Sequence, residues 1–207
     1  KDQRNRSRWG EKAGGIKKKL FNWAFETGKK YAYKKKDKAF VGPLLAVKHA
    51  LADKLVLSKL RDVVGGYKKF FSAGGAALSK DIEEFFFACG VLVCQGYGLT
   101  ETSPMSTCNR PREYKFGTVG KAIYGTQMRV SDEGELQIKG PNLMKGYYNK
   151  PEATDEIFTK DGWLKTGDVG VIDEEGFIKI TDRIKDLIIT SQGKNIAPQH
   201  IEGVVGM

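Results

Sequence analysis

A short apolar strand, a glycine pair, a helix and a second strand ending in glycine follow one another between residues 68 and 102, and this order limits the folds open to the chain. Lys68-Lys69-Phe70-Phe71-Ser72-Ala73 reads as a strand running into Gly74-Gly75. Ser79 is placed to cap a helix through Phe87, with Asp81, Glu83 and Glu84 in the first turn, where negative charge suits the helix dipole. Val91 to Gln95 is the next strand. Strand, glycine turn, helix, strand is the rhythm of a parallel α/β layer. Ligands in such layers gather at the carboxyl ends of the strands, where both glycine-rich turns fall.

The flanking segments differ in character. From Gly15 to about Lys36 apolar residues recur at helical spacing through Ile16, Leu20, Trp23 and Phe25. After Gly42-Pro43 a second helix, long and packed, is predicted through Leu44, Leu45, Val47, Leu51, Leu55, Val56 and Leu60, stopping near Gly65-Gly66. Past Pro111 the pattern becomes short strand-like runs: Gly117–Gly120, Gln127–Val130, Glu135–Lys139, Val169–Asp173 and Phe177–Thr181. Asp132-Glu133-Gly134 and Glu174-Glu175-Gly176 punctuate them as hairpin turns. The expected architecture is α/β: part of a parallel α/β layer, a mainly β subdomain, and the start of a small C-terminal α+β domain. The expected boundaries are residues 1–38 for a basic helical segment, 39–110 for the α/β portion, 111–181 for the mainly β portion, and 182–207 for a hinge and the small domain.

Charge sorts the partners. The chain carries a formal +10, but residues 1–38 hold 14 Lys and Arg against four Asp and Glu, and the remaining residues hold 21 of each. The excess is therefore confined to one segment, where Lys17-Lys18-Lys19 and Lys34-Lys35-Lys36 flank Leu20, Phe21, Trp23 and Phe25. A solvated face is the plain reading of this excess, and the arrangement also fits a basic amphipathic helix lying on a membrane or on its parent domain; nucleic acid is not an expected partner. No run approaches eighteen apolar residues, and the charged start lacks a secretory core, so a cytoplasmic setting, with membrane association allowed for, is expected. Cys89, Cys94 and Cys108 lack paired CxxC spacing and read as reduced thiols. Neither His49 nor His200 is a strong catalytic candidate.

Gln95 to Thr102 combines glycines, an aromatic ring, two hydroxyls and a carboxylate after a strand. Glycines admit close approach of backbone to ligand, a tyrosine ring can stack on a flat heterocycle, a hydroxyl can meet phosphate, and a carboxylate can hold Mg²⁺. Together these groups suit a nucleotide, although each alone is compatible with an ordinary strand-to-helix turn.

The string Gly96-Tyr97-Gly98-Leu99-Thr100-Glu101-Thr102 resembles the fifth core motif of the adenylate-forming superfamily. Other segments follow in matching order. Ser72-Ala73-Gly74-Gly75-Ala76 is similar to the upstream segment that packs on adenine. Gly134-Glu135-Leu136, Gly140-Pro141 and Gly146-Tyr147-Tyr148-Asn149 resemble the sixth motif, Trp163 to Asp168 the seventh, and Asp182-Arg183-Ile184-Lys185-Asp186 through Gly193, Pro198 and Glu202 the eighth. Ala77 departs from the proline expected there, which removes a rigid φ but no functional group.

The resemblance implies ATP, Mg²⁺ and coenzyme A as co-substrates, and is closest to bacterial long-chain fatty acyl-coenzyme A synthetases, so fatty acid is the implied substrate. It implies that Tyr97 stacks on adenine, with Gly74, Gly75, Ala76, Gln95, Gly96, Gly98 and Leu99 around the nucleotide. Thr100 would meet the α-phosphate and Glu101 the Mg²⁺. Asp168, assisted by Arg183, would accept the ribose hydroxyls; Lys185 would lie at the domain hinge and Gly193 on the thiol route. The family's phosphate loop and late catalytic lysine are expected outside residues 1–207, so these residues alone are expected to be inactive. A non-catalytic nucleotide-binding module and a basic lipid- or nucleic-acid-binding protein are the alternatives; acyl-carrier protein in place of coenzyme A, and a homodimer, stay open.

Overall fold

The computed structural model describes residues 15–76, 78–184, 188–189 and 195–196. They fall into two compact units, one of residues 15–72 and 78–93, the other of residues 73–76 and 94 onward.

The first unit is mostly helical. Helix α1 (Gly15–Lys36) buries Ala24, Thr27 and Gly28. Its buried face is thus made of small residues, whereas Leu20 and Trp23 of the aromatic patch remain more than a third exposed. Small residues serve here because backbones meet: a Cβ on Gly28 would lie 2.3 Å from the Ala88 carbonyl oxygen and 2.9 Å from Leu57. Phe25 extends the contact by stacking on Phe85, ring centroids 5.5 Å apart. The predicted second helix is three consecutive helical pieces: α2 (Pro43–Ala52), a π-helical turn (Asp53–Leu57) and α3 (Ser58–Val63). Proline suits the first helical position, where its missing N–H is not needed, and Gly65-Gly66 follows the end, as predicted.

The Arg61 guanidinium donates to both Asp53 carboxylate oxygens at 2.6 and 2.8 Å, and to the Cys89 carbonyl at 3.0 Å. It thereby ties the π turn to the end of the helix that precedes residue 89. Ala24, Ala52, Leu57 and Cys89 form the buried cluster, with Val56, Leu60 and Phe85 against it. Leu44, Val47, Leu51 and Leu55, predicted to pack, instead form an exposed stripe, because the described residues of this unit cover only the opposite side of the helix.

Strand β1 (Phe70–Ala73) leads through α4 (Lys80–Ala88) into β2 (Leu92–Tyr97). Ser79 caps α4 as the sequence predicts, its hydroxyl oxygen accepting from the Ile82 N–H at 3.4 Å. Strands β3 (Thr107–Cys108) and β4 (Lys121–Ala122) complete a four-stranded sheet of order β1-β2-β3-β4. The β1–α4–β2 connection is a helical crossover, whereas β2–β3 and β3–β4 are antiparallel. Residues 117–120, predicted as a strand, form a turn before β4. There Thr118 turns its hydroxyl back onto the Lys115 carbonyl at 2.7 Å, a local bond that competes with a strand ladder.

The mainly β part of the second unit is an antiparallel meander of β5 (Gln127–Val130), β6 (Glu135–Lys139), β7 (Leu164–Ile172) and β8 (Ile178–Arg183), in that order. Both predicted hairpin turns join these strands. Leu136, Ile138, Leu164 and Ile178 fill its interior at no more than 1 % exposure. Helix α5 (Pro151–Ile157), which the sequence reading missed, lies between β6 and β7. A two-stranded antiparallel pair, β9 (Ile188–Ile189) with β10 (Asn195–Ile196), ends the described chain. The α/β class is as expected. Among the described residues no helix is long and apolar enough to cross a membrane.

Candidate functional site

Every described residue in the predicted site belongs to the second unit. Tyr97 ends β2, and the chain reverses through residues 98–106 into β3, where Gly96 pairs with Cys108 and Tyr97 with Thr107. This reversal is tight. A Cβ on Gly98 would stand 1.8 Å from the Pro104 carbonyl oxygen, so only glycine fits without moving the loop. Thr100–Thr102 form one 3₁₀ turn inside it. Thr102, fully buried, accepts from the Leu99 N–H at 2.9 Å and donates to the Leu99 carbonyl at 3.0 Å. Those bonds leave Thr100 exposed on the turn and Glu101 half-buried. Gly74, Gly75 and Ala76, all exposed, run beside the end of β2: a Cβ on Gly74 would meet the Gly96 carbonyl oxygen at 3.3 Å. Gln95 is buried in β2, its carbonyl accepting from the Asn109 N–H at 2.7 Å.

Asp168 reaches the same place from the meander. The β6–β7 register breaks between Gln137↔Lys165 and Glu135↔Val169, so Thr166-Gly167-Asp168 form a bulge. A bulge re-aims a side chain at the end of a ladder. It is held by Thr166 Oγ1 donating to the Leu136 carbonyl at 2.7 Å and by Glu135 Oε1 accepting from the Gly167 N–H at 2.8 Å. Gly167 has φ +71° with nothing within 4 Å of a Cβ position, so glycine is required there by backbone conformation, not by space. Asp168 is 4 % exposed. Its Oδ2 accepts from the Tyr97 hydroxyl at 2.5 Å and its Oδ1 from Arg183 Nε at 3.0 Å, Arg183 being its cross-strand partner on β8.

A buried carboxylate with one phenol donor and one exposed guanidinium partner is the centre of the site. Burial raises the Tyr97 phenol well above its ordinary value, and the bond to Asp168 raises it further, so the hydroxyl stays a donor.

Glu101 has a separate set of partners. Its Oε1 accepts from the Tyr147 hydroxyl at 2.7 Å, and its carbonyl from the Met144 N–H at 2.8 Å. The bond to Glu101, more than burial, raises the Tyr147 phenol from its ordinary value. Asn142 Nδ2 also donates to the Thr102 and Met105 carbonyls at 3.0 and 3.1 Å. Residues 142–147 therefore clamp the loop that carries Thr100 and Glu101. Sequence reasoning quoted Tyr147 in a motif without giving it a role, and gave none to Asn142, Thr166 or Glu135. Among the described residues no group of three or more His, Cys, Asp or Glu is arranged to hold a metal. A single carboxylate does suit Mg²⁺, which keeps several waters and takes its other ligands from substrate phosphates. Ala77, Lys185 and Gly193 lie outside the described residues.

The family model described as AMP-binding enzyme matches residues 19–148. The long-chain-fatty-acid–CoA ligase FadD15 of Mycobacterium bovis is 43 % identical over 166 residues, covering 80 % of this chain and 28 % of that protein. The putative fatty-acid–CoA ligase fadD11 of Mycobacterium tuberculosis is 37 % identical over 191 residues, covering 92 % of this chain and 34 % of that one. Among solved structures, the O-succinylbenzoate coenzyme A synthetase MenE of Bacillus subtilis, in complex with ATP and magnesium ion, is 29 % identical with a TM-score of 0.61, over 81 % of this chain and 39 % of MenE. The chain thus spans about a third of the length of the proteins it matches. With the matched region running through the loop of Tyr97 and Glu101 to Tyr148, this chain belongs to the AMP-binding enzyme family.

Proposed function

We propose that the whole protein activates long-chain fatty acids in two steps, and that the second unit of this chain supplies the nucleoside half of its ATP site. In the first step a carboxylate oxygen of the fatty acid attacks the α-phosphorus of ATP and pyrophosphate leaves. In the second the sulfur of coenzyme A attacks the acyl carbon and AMP leaves. The observation that carries this reading is the buried Asp168 carboxylate bound by the Tyr97 hydroxyl and the exposed Arg183 guanidinium, a group assembled from β2, the β7 bulge and β8.

Asp168 offers two acceptor oxygens to the two adjacent ribose hydroxyls, and ionised acceptors make the stronger hydrogen bonds. Arg183 balances its charge. Tyr97, anchored by its hydroxyl, has its ring held in one orientation for the adenine face. Thr100, exposed on the turn beside Glu101, is assigned to the α-phosphate. Magnesium held by Glu101 would offset charge on the phosphates during attack. Gly74, Gly75, Ala76, Gln95, Gly96, Gly98 and Leu99 are assigned to the surroundings of the nucleotide. Lys185 is assigned to the hinge between the large and small domains, and Gly193 to the thiol route. The basic segment 1–38 is assigned to peripheral contact with anionic lipid. The fatty-acyl assignment is supported by the identities of 43 % and 37 % to proteins named as fatty-acid–CoA ligases.

The test is exchange of labelled pyrophosphate into ATP by the whole protein. Exchange that requires palmitate, followed by acyl-coenzyme A formation when the thiol is added, is the expected result. Binding of ATP without exchange for any fatty or aryl acid would leave only a nucleotide-binding module.

A further inference from the structure

We propose that Tyr147 is a positioning residue for Glu101, and that it presets this carboxylate for the magnesium of the nucleotide; the proposal rests on the reading of Glu101 as the metal-facing carboxylate. A glutamate side chain free to rotate gives up rotamer entropy when a ligand fixes it. Tyr147 limits that freedom beforehand. Its hydroxyl holds Glu101 Oε1 at 2.7 Å and so fixes the orientation of the carboxylate.

The tie is built on more than one bond. The same segment grips the Glu101 main chain through the Met144 N–H. Tyr147 is itself seated: its N–H donates to Thr154 Oγ1 at 2.9 Å, and that hydroxyl donates to the Lys150 carbonyl at 2.9 Å in the first turn of α5. The neighbouring Tyr148 is 90 % exposed, so of the two adjacent rings only Tyr147 is turned toward the loop. α5 therefore supports Thr154, Thr154 supports Tyr147, and Tyr147 supports Glu101. Partners of this kind behind a metal ligand orient it, and their loss commonly weakens metal affinity by about 10–100-fold.

The experiment is calorimetric titration of the whole protein with ATP, once in excess Mg²⁺ and once in EDTA, together with a melting curve for each variant. Wild-type protein is expected to bind ATP more tightly with Mg²⁺. Tyr147→Phe should lose about tenfold of that magnesium-dependent gain, with its affinity in EDTA within about twofold of wild type and its melting temperature nearly unchanged. Tyr148→Phe should behave as wild type. Should Tyr147→Phe fail to fold, Thr154→Val reaches the same hydroxyl through the backbone and should reduce the gain in the same direction. In a Glu101→Gln background, Tyr147→Phe should add nothing. Retention of the full magnesium gain by Tyr147→Phe, or equal losses with Mg²⁺ and EDTA, would overturn the proposal. A wild-type protein that binds ATP but shows no magnesium gain would overturn it together with the assignment of Glu101. A wild-type protein that does not bind ATP would instead remove the nucleotide reading itself.

Discussion

Asp168 is held from two directions, and the two bonds can be separated by substitution. Tyr97→Phe keeps the ring and removes the hydroxyl that reaches Oδ2. A single hydrogen bond is worth about 0.5–1.5 kcal/mol net, so ATP affinity should fall about two- to twelvefold by calorimetry. Tyr97→Ala also removes the stacking face, worth about 1–3 kcal/mol for a base on a ring, and should cost clearly more. Equal losses for the two variants would show that the ring does not face adenine. At this scale the sequence was partly legible. Tyr97, Asp168 and Arg183 were singled out by the resemblance of ordered segments to a family's motifs, each alone fitting an ordinary turn, and the structure brings the three together although Tyr97 and Asp168 are 71 residues apart. Tyr147 did not stand out, because Gly-Tyr-Tyr does not reveal which ring turns inward; that is decided by Thr154, seven residues on.

Elements place these residues through two local devices, the Gly98 reversal and the bulge at Thr166–Asp168. Gly98→Ala forces a Cβ against the Pro104 carbonyl. It should destabilise the protein by about 2–3 kcal/mol, as overpacked sites do, read as a lower melting temperature together with weaker ATP binding. A neutral effect would mean that the loop can open without cost. In the helical unit the corresponding device is Arg61, bound to Asp53 across the π turn. The hydrogen bond from Arg61 is the main reason the Asp53 carboxyl sits below its ordinary value, burial acting in the opposite sense. Because the folded value is depressed, the stabilisation is fully present above the ordinary Asp value of about 4 and is lost as pH falls through the folded one. The stability gap between wild type and Asp53→Asn, roughly 1–2 kcal/mol for a partly exposed pair, should be constant near neutrality and close below pH of about 4. A gap that persists at lower pH would contradict this. The helices and hairpins were legible from periodicity and turn residues. Helix α5 was not, because Pro151-Glu-Ala-Thr-Asp-Glu-Ile has a single large apolar residue and no period. Nor was the full length of β7, whose alternation is interrupted by the bulge.

Over the whole chain, the neutral region from residue 39 onward carries the family's motifs, while the excess positive charge lies in residues 1–38. The exposed stripe of Leu44, Val47, Leu51 and Leu55 is a contiguous apolar face on the helical unit. Faces of this kind promote association. The 207-residue chain on its own should therefore self-associate and bind a hydrophobic dye, and Leu44→Lys with Leu51→Lys should reduce both; a monomeric, dye-negative wild-type chain would contradict it. Composition and pattern could not show this exposure, because an apolar helical face looks the same in sequence whether or not anything lies against it.

The central claim is that Asp168 reads the ribose of a nucleotide, and the most direct measurement compares ATP with 2′,3′-dideoxy-ATP binding to the whole protein and to its Asp168→Asn variant. Hydrogen bonds to a charged group are worth about 1.5–3 kcal/mol each. Wild type should prefer ATP by at least about tenfold, and Asp168→Asn should lose most of that preference while still binding the dideoxy nucleotide. Equal affinity of the wild type for both nucleotides, or an undiminished preference in the variant, would contradict the assignment.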